Sequence, residues 1–379
     1  MHLTRHLYLR ILPIAFLFGC EKPAQEEAAE PEQITGLRAE WKFVEKQDRD
    51  HHKVVADNVF DAVFDGKIDD LEQLSQDYRA GKKRLPSGEW EFDIFYGVFA
   101  NYSDWNQRDP ERYFETLEKT LQEWIEKYPE SPAAPISLAA LYTDWAWHER
   151  SSRWASEVSE AQWQRFGELI TKSFTTLDDH RDVTKLDPYC HRTLLRISLG
   201  TGWPMSKVDA IFAEGVELAP DFWELYFGAT YFQLPRWHGE NHQQWHNWLE
   251  NKLAQAPRID DAMRDEIYAR VVLSMFKVAY EEEDEPDIFQ ACGVDWDRVK
   301  RGADQWMAAY PEASRIPSRF LMISMHAGDF DHARSIAERM NHRYDGREWW
   351  GKEDPEFFAI LAFLEEQEAE SNENSSEAE

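Results

Sequence analysis

Amphipathic helices that end at a proline dominate this chain and constrain its fold more than any other feature. Residues 117–128 place Leu, Trp, Ile and Tyr on one helix face, and the same pattern returns at 299–310. Both runs end in Tyr-Pro-Glu, at Tyr128 and Tyr310, and a weaker copy ends at Pro220. Because a proline disfavours helical geometry in the residue before it, each run predicts a helix, a turn and a second helix. Alternating strand patterns are scarce, so the sequence predicts an all-α fold of stacked helical hairpins.

The predicted helices share an apolar face and are joined by short polar or Gly/Pro links. They span 54–64, 68–80, 90–101, 110–128, 133–149, 159–177, 187–199, 205–218, 221–233, 241–254, 260–280, 296–310, 316–327, 330–341 and 354–368.

The local unit resembles the tetratricopeptide repeat (TPR). Its order of helix A, turn and helix B is matched by residues 320–327, 328–331 and 333–340. Residues 66–71 have the same shape near the start of the chain. The resemblance implies a TPR-like right-handed solenoid, a class that binds peptides or proteins on concave surfaces.

Longer segments are similar to an uncharacterised bacterial helical family that carries a domain of unknown function. They are 85–99, 124–166, 220–240 and 266–272. This similarity implies a helical fold and transfers no activity.

The first twenty residues have the pattern of an export signal. Arg5 and Arg10 supply positive charge, and residues 11–18 form an apolar stretch too short to span a bilayer. The stretch ends in Leu-Phe-Gly-Cys, which resembles the bacterial lipobox. We therefore expect residues 1–19 to be a lipoprotein signal peptide and Cys20 to carry the lipid. The alternative is a cytosolic scaffold with an apolar N-terminal helix.

Composition divides the rest of the chain. Residues 20–33 combine the lipidated Cys with an acidic, Pro-containing tether, and 365–379 form an acidic tail that we expect to be disordered. Between them we expect a TPR-like domain over 34–285 and C-terminal TPR-like hairpins over 286–364. Glu21 is not the Asp that retains lipoproteins at the inner membrane, so we expect the outer membrane of the cell envelope, facing the periplasm.

The net charge excludes one class of partner. Asp and Glu number 72 against 42 Lys and Arg, which gives −30. Such a chain should not bind nucleic acid phosphates over a broad face. No phosphate-binding loop, dinucleotide fingerprint or nucleophile motif is present, so no cofactor and no catalytic residue is assigned.

Histidine and cysteine spacing raises two further questions. His238, His242 and His246 recur every four residues, a spacing that can chelate zinc on a continuous helix. Because Gly239 interrupts the run and no matching acid is evident, we expect exposed histidines without metal. Cys190 and Cys292 could pair in an oxidising compartment, or they could be two buried small side chains.

Two segments rich in Trp and Arg lie in irregular links between predicted helices, where ligand sites tend to occur. Arginine beside tryptophan can stack on the indole and hold carboxylates or glycans. The alternative is a packed corner in which Trp fills space and Arg caps helix carbonyls. The candidate ligand residues are Trp145, Arg150, Arg153, Trp154, Arg236 and Trp237.

Two functional hypotheses follow. The first is a lipid-anchored envelope module that binds an unidentified protein or peptide, favoured over catalysis. The alternative is a glycan-binding or hydrolytic envelope lipoprotein that uses the Trp/Arg-rich links. An open groove would support the first, whereas a cavity that gathers Arg150, Trp237 and a carboxylate would support the second.

Overall fold

The computed structural model describes residues 37–43, 47–100, 109–151, 153–281, 288–313, 315–345 and 355–377. The predicted signal peptide, the predicted lipidation site Cys20 and the predicted tether lie outside these residues. Within them, none of the helices is both long enough and apolar enough to cross a membrane.

The described residues confirm an all-α fold. Their only strands are β1 (Lys42–Phe43) and β2 (Arg343–Tyr344), two residues each, which pair in parallel. The chain forms two compact units. One comprises residues 48–309, and the other combines residues 1–47 with 310–379.

The larger unit contains fourteen described helices and a 3₁₀ turn at Ala155–Glu157. The helices are α1 (Gln47–Phe64, whose first residue belongs to the other unit), α2 (Ile68–Gly81), α3 (Glu91–Ala100), α4 (Pro110–Lys127), α5 (Ala133–Arg150), α6 (Glu160–Asp179), α7 (Arg181–Thr184), α8 (Pro188–Thr201), α9 (Met205–Leu218), α10 (Trp223–Phe232), α11 (Gln244–Gln255), α12 (Asp261–Glu281), α13 (Ile288–Ala291) and α14 (Trp296–Ala309).

Local sequence explains where the central helices begin and end. Asp109 and Asp187 accept hydrogen bonds from backbone amides in the first turns of α4 and α8, and each is followed by a proline at the first helical position. Proline suits this position because its missing N–H would have no helical partner there. Helix α8 ends at Gly202, whose φ of 59° is the left-handed geometry that glycine adopts without strain.

Helix α5 occupies the middle of the larger unit. It packs against α3, α4, α6 and α8, and every residue from Ala133 to Ala146 is buried. Its neighbour α4 contributes Trp124, whose indole Nε1 donates to the Glu72 carboxylate over 2.8 Å. A helix buried on all sides shows little amphipathic asymmetry, and small residues such as Ala139 allow its neighbours to approach closely.

The larger unit extends beyond the boundary expected at 285/286, because α14 packs directly on α12. A Cβ added at Gly302 of α14 would lie 2.0 Å from the Asp265 carbonyl oxygen and 2.8 Å from the Ala269 Cβ. Only a glycine permits this approach, so residues 296–309 belong with the preceding helices.

The smaller unit contains a helical turn at 37–40, the β1–β2 pair, α15 (Arg315–Ala327), α16 (Phe330–Met340) and α17 (Pro355–Glu377). The Phe357 ring packs between Trp41 and Tyr344, with ring centroids 5.3 and 4.6 Å away. Helix α17 continues through 365–377, where composition predicts a disordered tail. Its Glu, Gln and Ala residues have high helix propensity, so a helix anchored by its buried first turns can propagate through them.

Candidate functional site

A cavity of about 530 Å³ opens in the larger unit between α5, α8, α10 and the loop that follows α10. Its volume lies in the usual range for small-molecule sites. Among the residues that the structure describes, four arginines line it against a single carboxyl group, that of Glu224. The arginines are Arg150, Arg192, Arg196 and Arg236.

Arg150 is the last residue of α5 and forms what we call the outer end of the cavity. Its Nη1 donates to the carbonyl oxygens of Ser151 and Arg153, over 3.0 and 2.8 Å. Its guanidinium lies 5.8 Å from the Trp147 ring and 5.5 Å from the Trp163 ring. The Arg150 Nε is buried and has no hydrogen-bond partner among the described residues. The Nε–H group of Arg150 therefore lacks a hydrogen-bond acceptor among them.

The loop after α10 adds Arg236 to the outer end. The loop folds back on the helix, and a Cβ added at Gly239 would lie 1.8 Å from the Gln233 carbonyl oxygen. The Arg236 guanidinium lies 5.4 Å from the Trp237 ring. Burial and, secondarily, the positive charge of Arg236 lower the pKa of Arg150. The two cations therefore repel each other, and an anion at the outer end would relieve that repulsion.

Aromatic rings form one continuous wall of the cavity. Phe227 and Tyr231 lie one turn apart on α10, with stacked rings 5.6 Å apart. Tyr231 meets Trp237 at 5.9 Å, and Trp237 meets Trp147 edge-on at 5.5 Å. The indole Nε1 atoms of Trp147 and Trp237 are both buried without a hydrogen-bond acceptor among the described residues. With Arg150 Nε, the wall thus contains three unsatisfied buried donors.

The opposite, inner end of the cavity contains the carboxyl group of Glu224. Arg192 of α8 places its Nε 3.9 Å from Glu224 Oε2 and 3.6 Å from Oδ1 of Asp93 on α3, while its Nη1 donates to the Tyr189 hydroxyl. Burial, followed by the negative charge of Asp93, raises the pKa of Glu224 to about 8. Burial also raises the pKa of Asp93. This end therefore combines a cation with a carboxyl group that holds its proton near neutral pH.

Arg196, one turn after Arg192, has a structural role. Its Nη2 contacts Asp144 Oδ1 at 3.2 Å, and its Nη1 donates to the Ala100 carbonyl oxygen over 3.1 Å. Because its charge is paired, Arg196 fixes α8 against α3 and α5 and contributes little net charge to the cavity.

The structure brings together three of the six candidate ligand residues. Arg150, Arg236 and Trp237 line one cavity, although 86 residues separate the first two along the chain. The carboxylate that the glycan or hydrolytic hypothesis requires is Glu224.

The other three candidates do not line the cavity. Trp145 is 5% exposed and stacks on Phe114 with centroids 5.0 Å apart. It faces the side of α5 opposite to the cavity and fills the core. Arg153 and Trp154 lie beyond the helix end, and Trp154 is 62% exposed.

Sequence reasoning missed Trp147, Arg192, Arg196 and Glu224. The available signal was the spacing of Arg192 and Arg196, two cations one turn apart on a helix with many buried residues. Both side chains are half-buried, and an arginine that is partly removed from water requires a local partner or a ligand.

The three spaced histidines have different roles. Helix α11 begins only at Gln244, so His238 and His242 precede it, and the His238 Nε2 contacts the Leu199 carbonyl oxygen at 3.0 Å. Contrary to expectation, His246 is buried, with its Nε2 2.8 Å from the Tyr268 hydroxyl. The described residues contain no group of three side chains able to hold a metal ion.

The two cysteines of the body are both buried in the described structure, and no disulfide joins them there. Burial raises the pKa of the Cys190 thiol to about 12. A thiol with such a pKa remains protonated and reacts slowly, in agreement with the interpretation of a small buried side chain.

Comparison with known proteins adds no functional assignment to this geometry. No protein family model, curated protein or solved structure matches the chain.

Proposed function

We propose that the larger unit binds a small anionic ligand that contains a ring, and that the arginine-lined cavity is its site. One observation carries this proposal: Arg150 Nε, Trp147 Nε1 and Trp237 Nε1 are buried in one wall without acceptors among the described residues. An unsatisfied buried donor costs roughly 1–3 kcal/mol, and such groups are rare in native proteins. A ligand oxygen that reaches one of these donors would remove this cost for that donor.

Charge favours an anion over a neutral acceptor. Burial and, secondarily, the nearby positive charge of Arg236 lower the pKa of Arg150. Hydrogen bonds between a guanidinium and an anionic oxygen are about twice as strong as neutral ones, and arginine suits planar carboxylates or phosphates. The cationic lining contrasts with the chain as a whole, which carries −30.

The aromatic wall favours a ligand that contains a ring. Phe227, Tyr231, Trp147 and Trp237 offer apolar surface for a flat or pyranose ring, while the arginines hold its acidic group. Sugar acids and aromatic acids share this chemistry. Together with lipid on Cys20, the proposal corresponds to the glycan-binding hypothesis for an outer-membrane lipoprotein facing the periplasm.

A protein or peptide interaction module remains a second candidate. Its support is that helices adjacent in sequence pack as pairs, namely α5 with α6, α8 with α9 and α15 with α16. The TPR-like, right-handed solenoid belongs to this second proposal, as does the unidentified partner.

The test compares two arginines three residues apart. Binding of benzoate, glucuronate and inorganic phosphate to the purified full-length protein is measured by calorimetry and by tryptophan fluorescence. Arg150→Ala should weaken binding by about tenfold or more, since a hydrogen bond to a charged group contributes roughly 1.5–3 kcal/mol. The matched control is Arg153→Ala, which removes an exposed arginine outside the cavity and should leave the affinity unchanged.

A second pair of variants tests the indole donors. Trp237→Phe keeps a ring but removes Nε1, and should weaken binding, whereas Trp154→Phe at an exposed position should not. The proposal is wrong if none of the three anions binds. Equal losses in Arg150→Ala and Arg153→Ala would also reject it.

A further inference from the structure

We propose that Glu224 holds a proton at the inner end of the cavity and donates it in a hydrogen bond to the ligand, so that the ligand is a ring-bearing acid with acceptor oxygens at both ends. This inference rests on the proposed function, and it adds what the ligand must present opposite its anionic group.

The first observation that supports this inference is that two carboxyl groups face one cation. Asp93 and Glu224 come from different helices, yet both approach the same Arg192 Nε, at 3.6 and 3.9 Å. Both distances exceed that of a hydrogen bond, and the Arg192 Nη1 already donates to Tyr189. Two largely buried carboxylates thus share one guanidinium. Burying a second negative charge without a counterion is costly, and the usual outcome is that one carboxyl group takes up a proton.

Among the described residues, other charged groups around the pair do not supply the missing cation. Glu89, in the loop before α3, adds negative charge, which opposes ionisation of both carboxyls. Arg270 of α12 acts in the other direction, but its Nε and Nη2 already donate to Glu266 over 2.9 and 2.7 Å. His52 of α1 is exposed, and its charge acts on the Asp93 side only. The surroundings therefore still favour one proton on the pair.

Glu224 is the carboxyl that keeps this proton. Asp93 lies closer to Arg192 than Glu224 does, at 3.6 against 3.9 Å, so the guanidinium stabilises the Asp93 charge more strongly. Glu224 lines the cavity, and its pKa is raised to about 8. At pH 7 it is a carboxylic acid at the cavity surface, able to donate where an ionised carboxylate could only accept.

The two ends of the cavity then bind different chemical groups of one ligand. The outer end, with Arg150 and Arg236, takes the anionic group. The inner end takes a hydrogen-bond acceptor from Glu224, and the wall of Phe227 and Tyr231 covers the ring between them. A uronic acid and an aromatic dicarboxylate both satisfy these demands, whereas a ligand with an ammonium group at its inner end does not.

The binding test uses benzoate, which has one acidic end, isophthalate, which has two, and glucuronate as the sugar acid. Each is titrated into the full-length protein at about pH 6.5 and about pH 9. One pH unit above a pKa of about 8, only about a tenth of Glu224 stays protonated. Isophthalate or glucuronate should therefore bind about tenfold more weakly at the higher pH. Benzoate, which does not reach Glu224, should change little.

Two variants separate this effect from a general pH response. Glu224→Gln retains an N–H donor at every pH, so its affinity for isophthalate should be the same at both pH values. Glu168→Gln removes an exposed carboxylate of α6 and should keep the wild-type pH dependence. Comparing isophthalate with glucuronate shows whether the ring is aromatic or a sugar.

A ligand-free measurement completes the test. Carbon-13 NMR of the glutamate carboxyl groups should show one group that titrates near pH 8 and disappears in Glu224→Gln. If the anions bind but no such group exists, or the wild-type affinity is equal at both pH values, this inference is wrong and the proposed function survives. If no anion binds in either variant or the wild type, the proposed function itself fails.

Discussion

Replacing Glu224 by Gln should stabilise the protein at alkaline pH. The folded protein raises the pKa of Glu224 from 4.5 to about 8, first through burial and then through the charge of Asp93. Between these values the folded state keeps a proton that the unfolded chain releases. The free energy of unfolding therefore falls as the pH rises from about 4.5, and the loss is complete above about pH 8. Glutamine has no proton to release, so the variant escapes this loss.

The size of the effect follows from the shift. One pKa unit corresponds to about 1.4 kcal/mol, so a rise from 4.5 to about 8 sets an upper bound of roughly 5 kcal/mol. Part of this rise comes from the negative charge of Asp93. In the wild type, Asp93 can take up part of the proton that Glu224 releases, which reduces the loss of stability at high pH. We therefore expect Glu224→Gln to gain roughly 2–4 kcal/mol relative to wild type between pH 5 and pH 9. Since domains unfold with about 5–15 kcal/mol, a change of this size is easily measured.

Urea unfolding of wild type, Glu224→Gln and Glu168→Gln at several pH values provides the assay. Tryptophan fluorescence and circular dichroism follow the transition. The stability difference between Glu224→Gln and wild type should grow with pH and level off above about pH 8. Glu168→Gln controls for the loss of one negative charge from a strongly acidic chain. A difference that does not change with pH, or that grows toward acid, would refute the argument about the shared guanidinium.

Three other predictions concern packing, anchoring and metal. Gly302→Ala should destabilise the larger unit by about 1–3 kcal/mol in urea unfolding, because its Cβ would lie 2.0 Å from a backbone oxygen; Gly167→Ala, where a Cβ meets nothing within 4 Å, should be neutral or stabilising. Cys20→Ser should abolish metabolic labelling by a fatty-acid probe, and equal labelling of both proteins would contradict lipidation. Elemental analysis of protein prepared without chelators should find no stoichiometric zinc; zinc that disappears in His242→Ala would instead support the histidine run as a metal site.

The long helices were predictable from the sequence to within a few residues at most ends. A pair such as Asp187-Pro188 indicates where a helix begins, because Asp caps the first turn and Pro suits the first helical position. Amphipathic periodicity then indicates how far the helix extends. The four-residue helices α7 and α13 were missed because so short a segment shows no periodicity. The expected boundary at 285/286 lies inside the larger unit. The extent of that unit depends on how closely α14 approaches α12 at Gly302, which is a tertiary contact.

The candidate site shows where sequence reasoning reaches its limit. The Arg- and Trp-rich segments around Arg153 and Arg236 are predicted as irregular links, and both of these residues lie outside the described helices. Within α5, however, Trp145 is the predicted candidate, whereas Trp147 lines the cavity. Two residues along a helix turn the side chain by roughly 200°, so one indole enters the core and the other the cavity. Both faces of α5 are packed, and apolar periodicity alone could not distinguish them.

The charge distribution explains why short-range hydrogen bonds, and not long-range attraction, must determine which ligand this cavity binds. An anionic ligand approaches a chain of net charge −30, so long-range electrostatics oppose the encounter. At physiological salt these forces fade beyond about 8 Å, and the ligand then meets only the cavity wall. There Arg196 is neutralised by Asp144 and Arg192 faces two carboxyls, whereas Arg150 at the outer end keeps a buried Nε that has no acceptor among the described residues. Selectivity thus depends on hydrogen bonds at two chemically different ends, and simple anion attraction does not suffice.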